Sequence, residues 1–297
     1  MTGNVRAARL RPLYPRLLLA PSIVALFLWM IVPLAMTLWF SVERYNLLSP
    51  GKSAFAGLQN YRALVANRAL WVAMGNTLLL VALVLAITLA LGTLFTALLN
   101  EDFPGHGVCR LLVIAPFFVM PTVSALVWKN MLMNPVFGLG AWITRSLGLG
   151  AVEFFAHLPL VSIALIVAWE WTPFAVLILL PALQSLNPEL EEAARLDGGG
   201  PVDLFLHIQL PHLMRPMAVV AMIEMIYLLS LFAEIYVTTG GGPGLASTNL
   251  AYLIFRDALL GWDVGRASAG GVIAILLANV VALFLMRMVG CNLEESR

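Results

Sequence analysis

The sequence predicts an all-α, polytopic membrane protein, and three observations carry that expectation. Of 297 residues, 61% are hydrophobic and only 11% are charged, where a soluble domain has roughly 45–50% apolar and about 25% charged residues. Mean hydropathy is +0.92. Six apolar segments reach the length of roughly 20 residues that a helix needs to cross a hydrocarbon core, at about 17–40, 77–99, 110–130, 158–181, 217–238 and 268–288. Pro33, Gly92, Pro116, Pro121 and Pro173 fall inside these segments. Neighbouring helices can satisfy the carbonyls such residues leave free, so none of them argues against a span.

The first segment follows Arg6, Arg9, Arg11 and Arg16 and runs unbroken from Leu17 to Phe40. It is longer than a signal-peptide core and has no small-residue cleavage site, so it reads as a retained first membrane helix. The first helix usually dominates orientation, and its basic leader places the N-terminus in the cytoplasm. Six spans then put both termini on that side. The expected organisation is a cytoplasmic segment at 1–16, a transmembrane domain at 17–288 and a cytoplasmic tail at 289–297. Residues 100–109 and 182–216 become cytoplasmic loops, and 41–76, 131–157 and 239–267 become outer loops.

Within the outer loops, Leu58 to Val65 reads as a short amphipathic interfacial helix, with Trp71 suited to the headgroup level. Thr239-Gly240-Gly241-Gly242-Pro243-Gly244 reads as a flexible turn; the chain has no Gly-x4-Gly-Lys-Ser/Thr loop for phosphate. A net charge of +1 gives no electrostatic case for nucleic acid. Cys109 and Cys291 read as ordinary thiols without metal-ligating neighbours, and no metal site is expected.

The most informative polar stretch lies between the fourth and fifth spans. Asn187-Pro188-Glu189 is a helix start, with Asn at the N-cap, Pro at the first helical position and acids in the first turn. That helix is expected to reach about Asp197 and stop at Gly198, where glycine can take positive φ. Pro201 and Asp203 open a second short helix that Pro211 is expected to end. The two helices form a knob. Ala193 and Ala194 give it a small face, and Glu191, Glu192 and Asp197 supply acceptors.

Three carboxylates, Glu170, Glu224 and Glu234, fall inside predicted spans with no Lys or Arg in their own helix interiors. An ionisable group at a helix centre costs roughly 2.5–3.5 kcal/mol on insertion scales, so such groups face a polar cavity or a partner. At about 100° per residue, Glu224, Tyr227, Ser230 and Glu234 share one helical face. With Trp171 beside Glu170 and Asn279 in the last span, these residues form a candidate path for a hydroxyl-rich solute. Packing is the competing role: a carboxyl bonded to a neighbouring helix, or Glu234 reaching the outer interface.

The knob also carries a spacing: Glu192-Ala193-Ala194, three residues, Gly198, nine residues, then Ile208-Gln209-Leu210-Pro211. This resembles the EAA loop of permease subunits in binding-protein-dependent ABC importers, where an ATPase docks. The likeness extends over nearly the whole chain. Arg110 to Pro121, Trp169 to Phe174 and Leu183 to Leu186 resemble carbohydrate-importer permeases, and Thr239 to Pro243 resembles the maltose F subunit type. Pro116 to Asn130, Leu228 to Glu234 and Ser268 to Gly271 resemble the sorbitol/mannitol branch. Cys291 departs from that pattern, where Lys is expected.

The resemblance implies a type I ABC importer permease fold in a bacterial cytoplasmic membrane. It implies a heterodimer with a second permease, two ATPase subunits and an extracytoplasmic solute-binding protein. Glu191, Glu192, Ala193, Ala194, Asp197, Gly198, Ile208, Leu210 and Pro211 would form the docking surface. The chain would be no enzyme and carry no cofactor, with ATP and Mg on the partner ATPases. Two other classes stay open at this point. A proton-coupled secondary transporter would use Glu170 and Glu224 as relays, and would bring an inverted repeat that is not evident here. An intramembrane enzyme would need a His-Glu-x-x-His or Gly-x-Ser-x-Gly element, and neither is present.

Overall fold

The computed structural model describes residues 13–148, 150 and 152–294. Arg6, Arg9 and Arg11 of the basic leader, and the last three residues of the tail, lie outside the described residues. The helices are α1 (Leu13–Ser41), α2 (Gln59–Val65), α3 (Arg68–Asn100), α4 (His106–Ile114), α5 (Pro121–Val127), α6 (Leu139–Ser146), α7 (Phe154–His157), α8 (Pro159–Gln184), α9 (Pro188–Leu196), α10 (Pro201–Leu204), α11 (Leu210–Leu229), α12 (Ala233–Thr238), α13 (Leu250–Phe255) and α14 (Val264–Glu294). A short antiparallel pair, β1 (Glu43–Arg44) and β2 (Ala54–Phe55), sets Glu43 opposite Phe55.

The chain divides into two compact units. The first comprises residues up to Leu64 together with Asp257–Val272, and the second Val65–Arg256 together with Ile273 onward. In the first unit, side chains from Leu18 to Met36 of α1 are exposed, an apolar surface suited to lipid. The expected helix near Leu58 is present as α2. It is fastened to the end of α1 by Asn60, whose amide donates to the Ser41 and Glu43 carbonyls at 2.9 and 2.8 Å. Tyr61 adds a hydroxyl bond to Ser41 at 2.8 Å.

The second unit is built on α3 and α8, with α11 packed against both. Leu80, Val81 and Val84 of α3 meet Ile163, Ala164 and Val167 of α8 and Met225 and Leu228 of α11 in one buried cluster. Gly92 permits the close approach of α3 and α8: a Cβ there would lie 2.6 Å from the Ala175 Cβ. Small residues at such crossings let membrane helices pack tightly where burial from water gives no drive.

Five helices are long and apolar enough to cross a membrane, and a bent pair, His106–Phe118 with Pro121–Leu132, brings the number to six. The expected third span at 110–130 is therefore not one straight helix. It bends by 106° between these halves. Pro121 explains the break: a proline disfavours helical backbone in the residue before it, and Met120 sits at φ −63°, ψ 136°. A 3-10 turn at Ala115–Phe118 precedes the break.

The expected fifth span at 217–238 also departs from a continuous helix. It stops at Leu229 and resumes as α12 at Ala233, with Phe232 at φ −143°, ψ −42°. The Leu231 carbonyl freed by the break accepts from the Asn249 amide.

A third correction concerns Pro211, which does not end the second docking helix. The chain from Pro201 to Leu229 continues as one helix through a π turn at Phe205–Gln209. There the Leu210 N–H reaches back five residues to the Phe205 carbonyl. The wider turn accommodates a proline that has no N–H to give and would crowd a regular α-helix.

The glycine-rich stretch at 239–244 is a pinned loop rather than a flexible turn. Ser247, Thr248 and Asn249 behind it are fully buried. The Asn76 amide donates to the Leu245 and Thr248 carbonyls at 2.9 Å each. Thr239 and Ser247 hydroxyls lie 2.7 Å apart, and Ser247 donates to the Gly242 carbonyl at 2.7 Å. With these carbonyls satisfied, the loop has little freedom to move.

Candidate functional site

The polar knob forms from its own local signals. The Asn187 side chain accepts from the Glu189 N–H at 3.1 Å, an N-cap, and Glu189 and Glu191 complement the positive end of α9. At the other end Gly198 takes φ +89°. Its N–H donates to the Arg195 carbonyl at 3.1 Å, and the Gly199 N–H donates to the Ala194 carbonyl at 2.9 Å. These two bonds make a Schellman C-cap, the motif that glycine allows at positive φ. The Gly200 N–H then donates to Asp203 at 3.2 Å, which starts the second arm.

Gln209 ties the arms together. It is 6% exposed and its amide donates to the Glu191 carboxylate at 3.0 Å. Glu191 is therefore an internal strut, which departs from its expected role as a free acceptor. Glu192, Ala193, Asp197 and Gly198 are exposed, and Leu196 is 88% exposed at the tip. Ala194, Ile208 and Leu210 are half-buried under this face, and Pro211 is exposed. Gln209 escapes the sequence reading although it lies inside the Ile-x-Leu-Pro element, because that pattern leaves its position open.

The second polar centre lies in the apolar interior of the second unit. Tyr227 of α11 donates its hydroxyl to Glu234 of α12 at 2.7 Å, across the break between those helices. The Trp171 and Tyr227 rings lie 4.6 Å apart between centroids. Phe117 meets Trp171 edge-on and stacks on Phe174. Glu170, 5% exposed, lies behind Trp171, within electrostatic range of both Glu234 and Ser124. Glu170 Oε1, Glu234 Oε2 and Ser124 Oγ have no hydrogen-bond partner. Ser230 sits at the exposed rim and donates to the Tyr227 carbonyl at 2.8 Å.

The structure thus brings Glu170, Trp171, Tyr227, Ser230 and Glu234 together, and adds Ser124 of the bent α5. It separates Glu224 from them. Glu224 is fully buried and accepts from Thr88 of α3 at 2.9 Å. The single helical face expected for Glu224, Tyr227, Ser230 and Glu234 fails because the helix breaks at residues 230–232. Asn279 is exposed on α14 and takes no part in the cluster. Lys129, on the π turn Trp128–Leu132, donates to the Val237 carbonyl at 2.9 Å and holds the C-terminal end of α12. Among the described residues no group of three metal-ligating side chains converges.

Residues 107–293 match the family described as binding-protein-dependent transport system inner membrane component. The chain is 35% identical over 264 residues to the trehalose/maltose transport system permease protein MalF of Thermococcus litoralis, covering 88% of each sequence. It is 31% identical over 281 residues to the sn-glycerol-3-phosphate transport system permease protein UgpA of Yersinia enterocolitica, covering 93% of each. Among solved structures, a chain of a bacterial alginate ABC transporter in complex with alginate pentasaccharide-bound periplasmic protein superposes with a TM-score of 0.78 at 22% identity. That match covers 96% of this chain and 97% of the other, and shows the shared fold. Nothing in these likenesses supports a proton-coupled secondary transporter. The chain belongs to the family of binding-protein-dependent transport system inner membrane components, and is an integral membrane transport subunit rather than an enzyme.

Proposed function

We propose that this chain is the first permease of a carbohydrate or polyol ABC importer, pairing with a second permease and with two ATPase subunits docked on residues 182–216. An extracytoplasmic binding protein delivers the solute. Closure of the ATPases around ATP and Mg moves the knobs and opens the central site alternately to each side. The observation that carries the reading is the knob itself: capped at both ends, strutted by Gln209, and exposed along Glu192, Ala193, Leu196, Asp197 and Gly198. A rigid exposed element of this kind transmits a partner's motion, because it does not have to order on contact.

The solute class rests on chemistry and on likeness. Relatives are named for trehalose and maltose and for sn-glycerol-3-phosphate, all hydroxyl-bearing solutes. Trp171 and Tyr227 offer flat apolar faces beside carboxyl groups that accept from hydroxyls. The sorbitol/mannitol likeness of residues 116–130 and 228–234 favours a polyol within that class. Both termini are assigned to the cytoplasm, with the knob on the same side.

Purifying the tagged chain from its native membrane should recover a second permease and an ATPase. The companion binding protein should bind sorbitol, mannitol or a disaccharide in calorimetry. Recovery without an ATPase, or a binding protein that takes only amino acids or peptides, defeats the proposal.

A further inference from the structure

We propose that the centre between α5, α8, α11 and α12 rejects anions, so that the solute it passes is an uncharged, hydroxyl-rich molecule. This rests on the importer reading above and narrows its solute class.

Three oxygen atoms from three different helices, Glu170 Oε1, Glu234 Oε2 and Ser124 Oγ, are buried without a partner. Their residues are 5%, 1% and 1% exposed. Buried polar groups are nearly always bonded, and a group left open in a transport path is one that a solute can satisfy. Two are carboxyl oxygens, whose lone pairs call for donors. Hydroxyl groups supply donors. The Trp171–Tyr227 pair supplies a flat face for the carbon skeleton between them.

An anion finds nothing to pair with here. The charged neighbour of Glu170 is Glu234, a like charge. Neither carboxylate has an ion-pair partner among the described residues. Lys129 has its ammonium on the Val237 carbonyl. A solute carboxylate or phosphate entering this space would lose its water and meet two carboxyl groups with no compensating cation, which is strongly unfavourable. Charge rejection would therefore act in the permease in addition to whatever the binding protein selects.

The test places a reporter thiol at the rim and needs no knowledge of the solute. In the complete importer in proteoliposomes, with Cys109 and Cys291 replaced by Ser, Ser230→Cys is treated with two methanethiosulfonates of similar size. One carries a trimethylammonium group and the other a sulfonate. Relative to a free thiol in solution, the cationic reagent should be favoured at least about tenfold, the low end of what a like-charged cleft achieves. Glu170→Gln with Glu234→Gln should return the ratio to within about threefold of the solution value, and Glu170→Gln alone should move it part of the way.

An unbiased ratio at Ser230→Cys, or a bias that survives both Gln substitutions, overturns the proposal. So does a thiol that neither reagent reaches while an Ala246→Cys control reacts. ATP-dependent uptake of the binding protein's own ligand by the same vesicles checks the underlying reading separately. Its absence defeats the importer function, whereas normal uptake with an unbiased ratio defeats only the charge rejection.

Discussion

Gln209, almost fully buried, donates to Glu191 at 3.0 Å and joins the two arms of the cytoplasmic knob. The bond fixes the angle between a helix that ends at Gly198 and one that begins at Pro201. Removing one partner strands the other, which costs about 1–3 kcal/mol for a buried group. Glu191→Ala and Gln209→Ala should each reduce ATPase recovery from detergent, and the double variant should lose little more than either single one. Additive losses would show that the two side chains act independently.

Gly198 separates backbone strain from surface contact. It sits at φ +89°, and a Cβ at this position would have nothing within 4 Å, so a side chain there meets no neighbour in this chain. Valine in that backbone region should cost about 1–2 kcal/mol, whereas Asn tolerates it. If Gly198 lies on the docking surface, Gly198→Asn should leave thermal stability unchanged and still lower ATPase recovery and uptake. Gly198→Val should lower all three. Normal uptake with both variants would remove Gly198 from the docking surface. Glu192→Lys, exposed and without strain, should weaken recovery by charge alone.

How much of this is legible in the sequence depends on the range of the interaction. Asn187, Pro188 and Gly198 signal their roles within a few residues, and the knob's boundaries follow from them. Pro121 also acts locally, yet it reads as tolerated inside a span, because hydropathy does not distinguish a straight helix from one bent by 106°. The break at Ser230 to Phe232 has no proline or glycine to announce it. It is stabilised from a distance, by Asn249 on the Leu231 carbonyl. Thr88, Ser124, Asn76 and Gln209 go unseen for the same reason: each is a common polar residue whose role comes from a partner far along the chain.

Topology follows from the placement of exposed side chains. Ser53 and Ala246 are exposed on the assigned outer side, and Ser185 on the assigned cytoplasmic side. Ser247 is unsuitable as a reporter because it is buried and bonded to Gly242. In intact cells, Ser53→Cys and Ala246→Cys should react with an impermeant maleimide, and Ser185→Cys only after permeabilisation. The reverse pattern would invert the protein in the membrane.

Gly92 tests the α3–α8 crossing. A methyl group there would lie 2.6 Å from the Ala175 methyl, so the helices must separate. Overpacking a close contact costs roughly 1–3 kcal/mol. Gly92→Ala should lower the thermal midpoint of the purified subunit complex, and adding Ala175→Gly should restore most of the loss. Failure of the second change to rescue would mean that the crossing tolerates expansion.

Glu224 and Glu170 are both buried carboxylates, and the structure gives them different work. Glu224 is fully buried and held by Thr88 at 2.9 Å, so it ties α11 to α3. Its Oε2 lacks a partner, but a Gln side chain keeps the carbonyl oxygen that accepts from Thr88. Glu224→Gln should therefore retain most uptake. Thr88→Val removes that bond and should destabilise the subunit by about 1–3 kcal/mol. Glu170 instead lies behind Trp171 beside the rim at Ser230, where a solute can reach its neighbours. Glu170→Gln should keep assembly and stability yet lower uptake, by roughly fivefold if one hydrogen bond worth about 1 kcal/mol is lost. Transport assays on vesicles with matched ATPase content give the comparison. Equal uptake defects in Glu224→Gln and Glu170→Gln would place both carboxylates on the path, and normal uptake in both would make the whole centre a packing device.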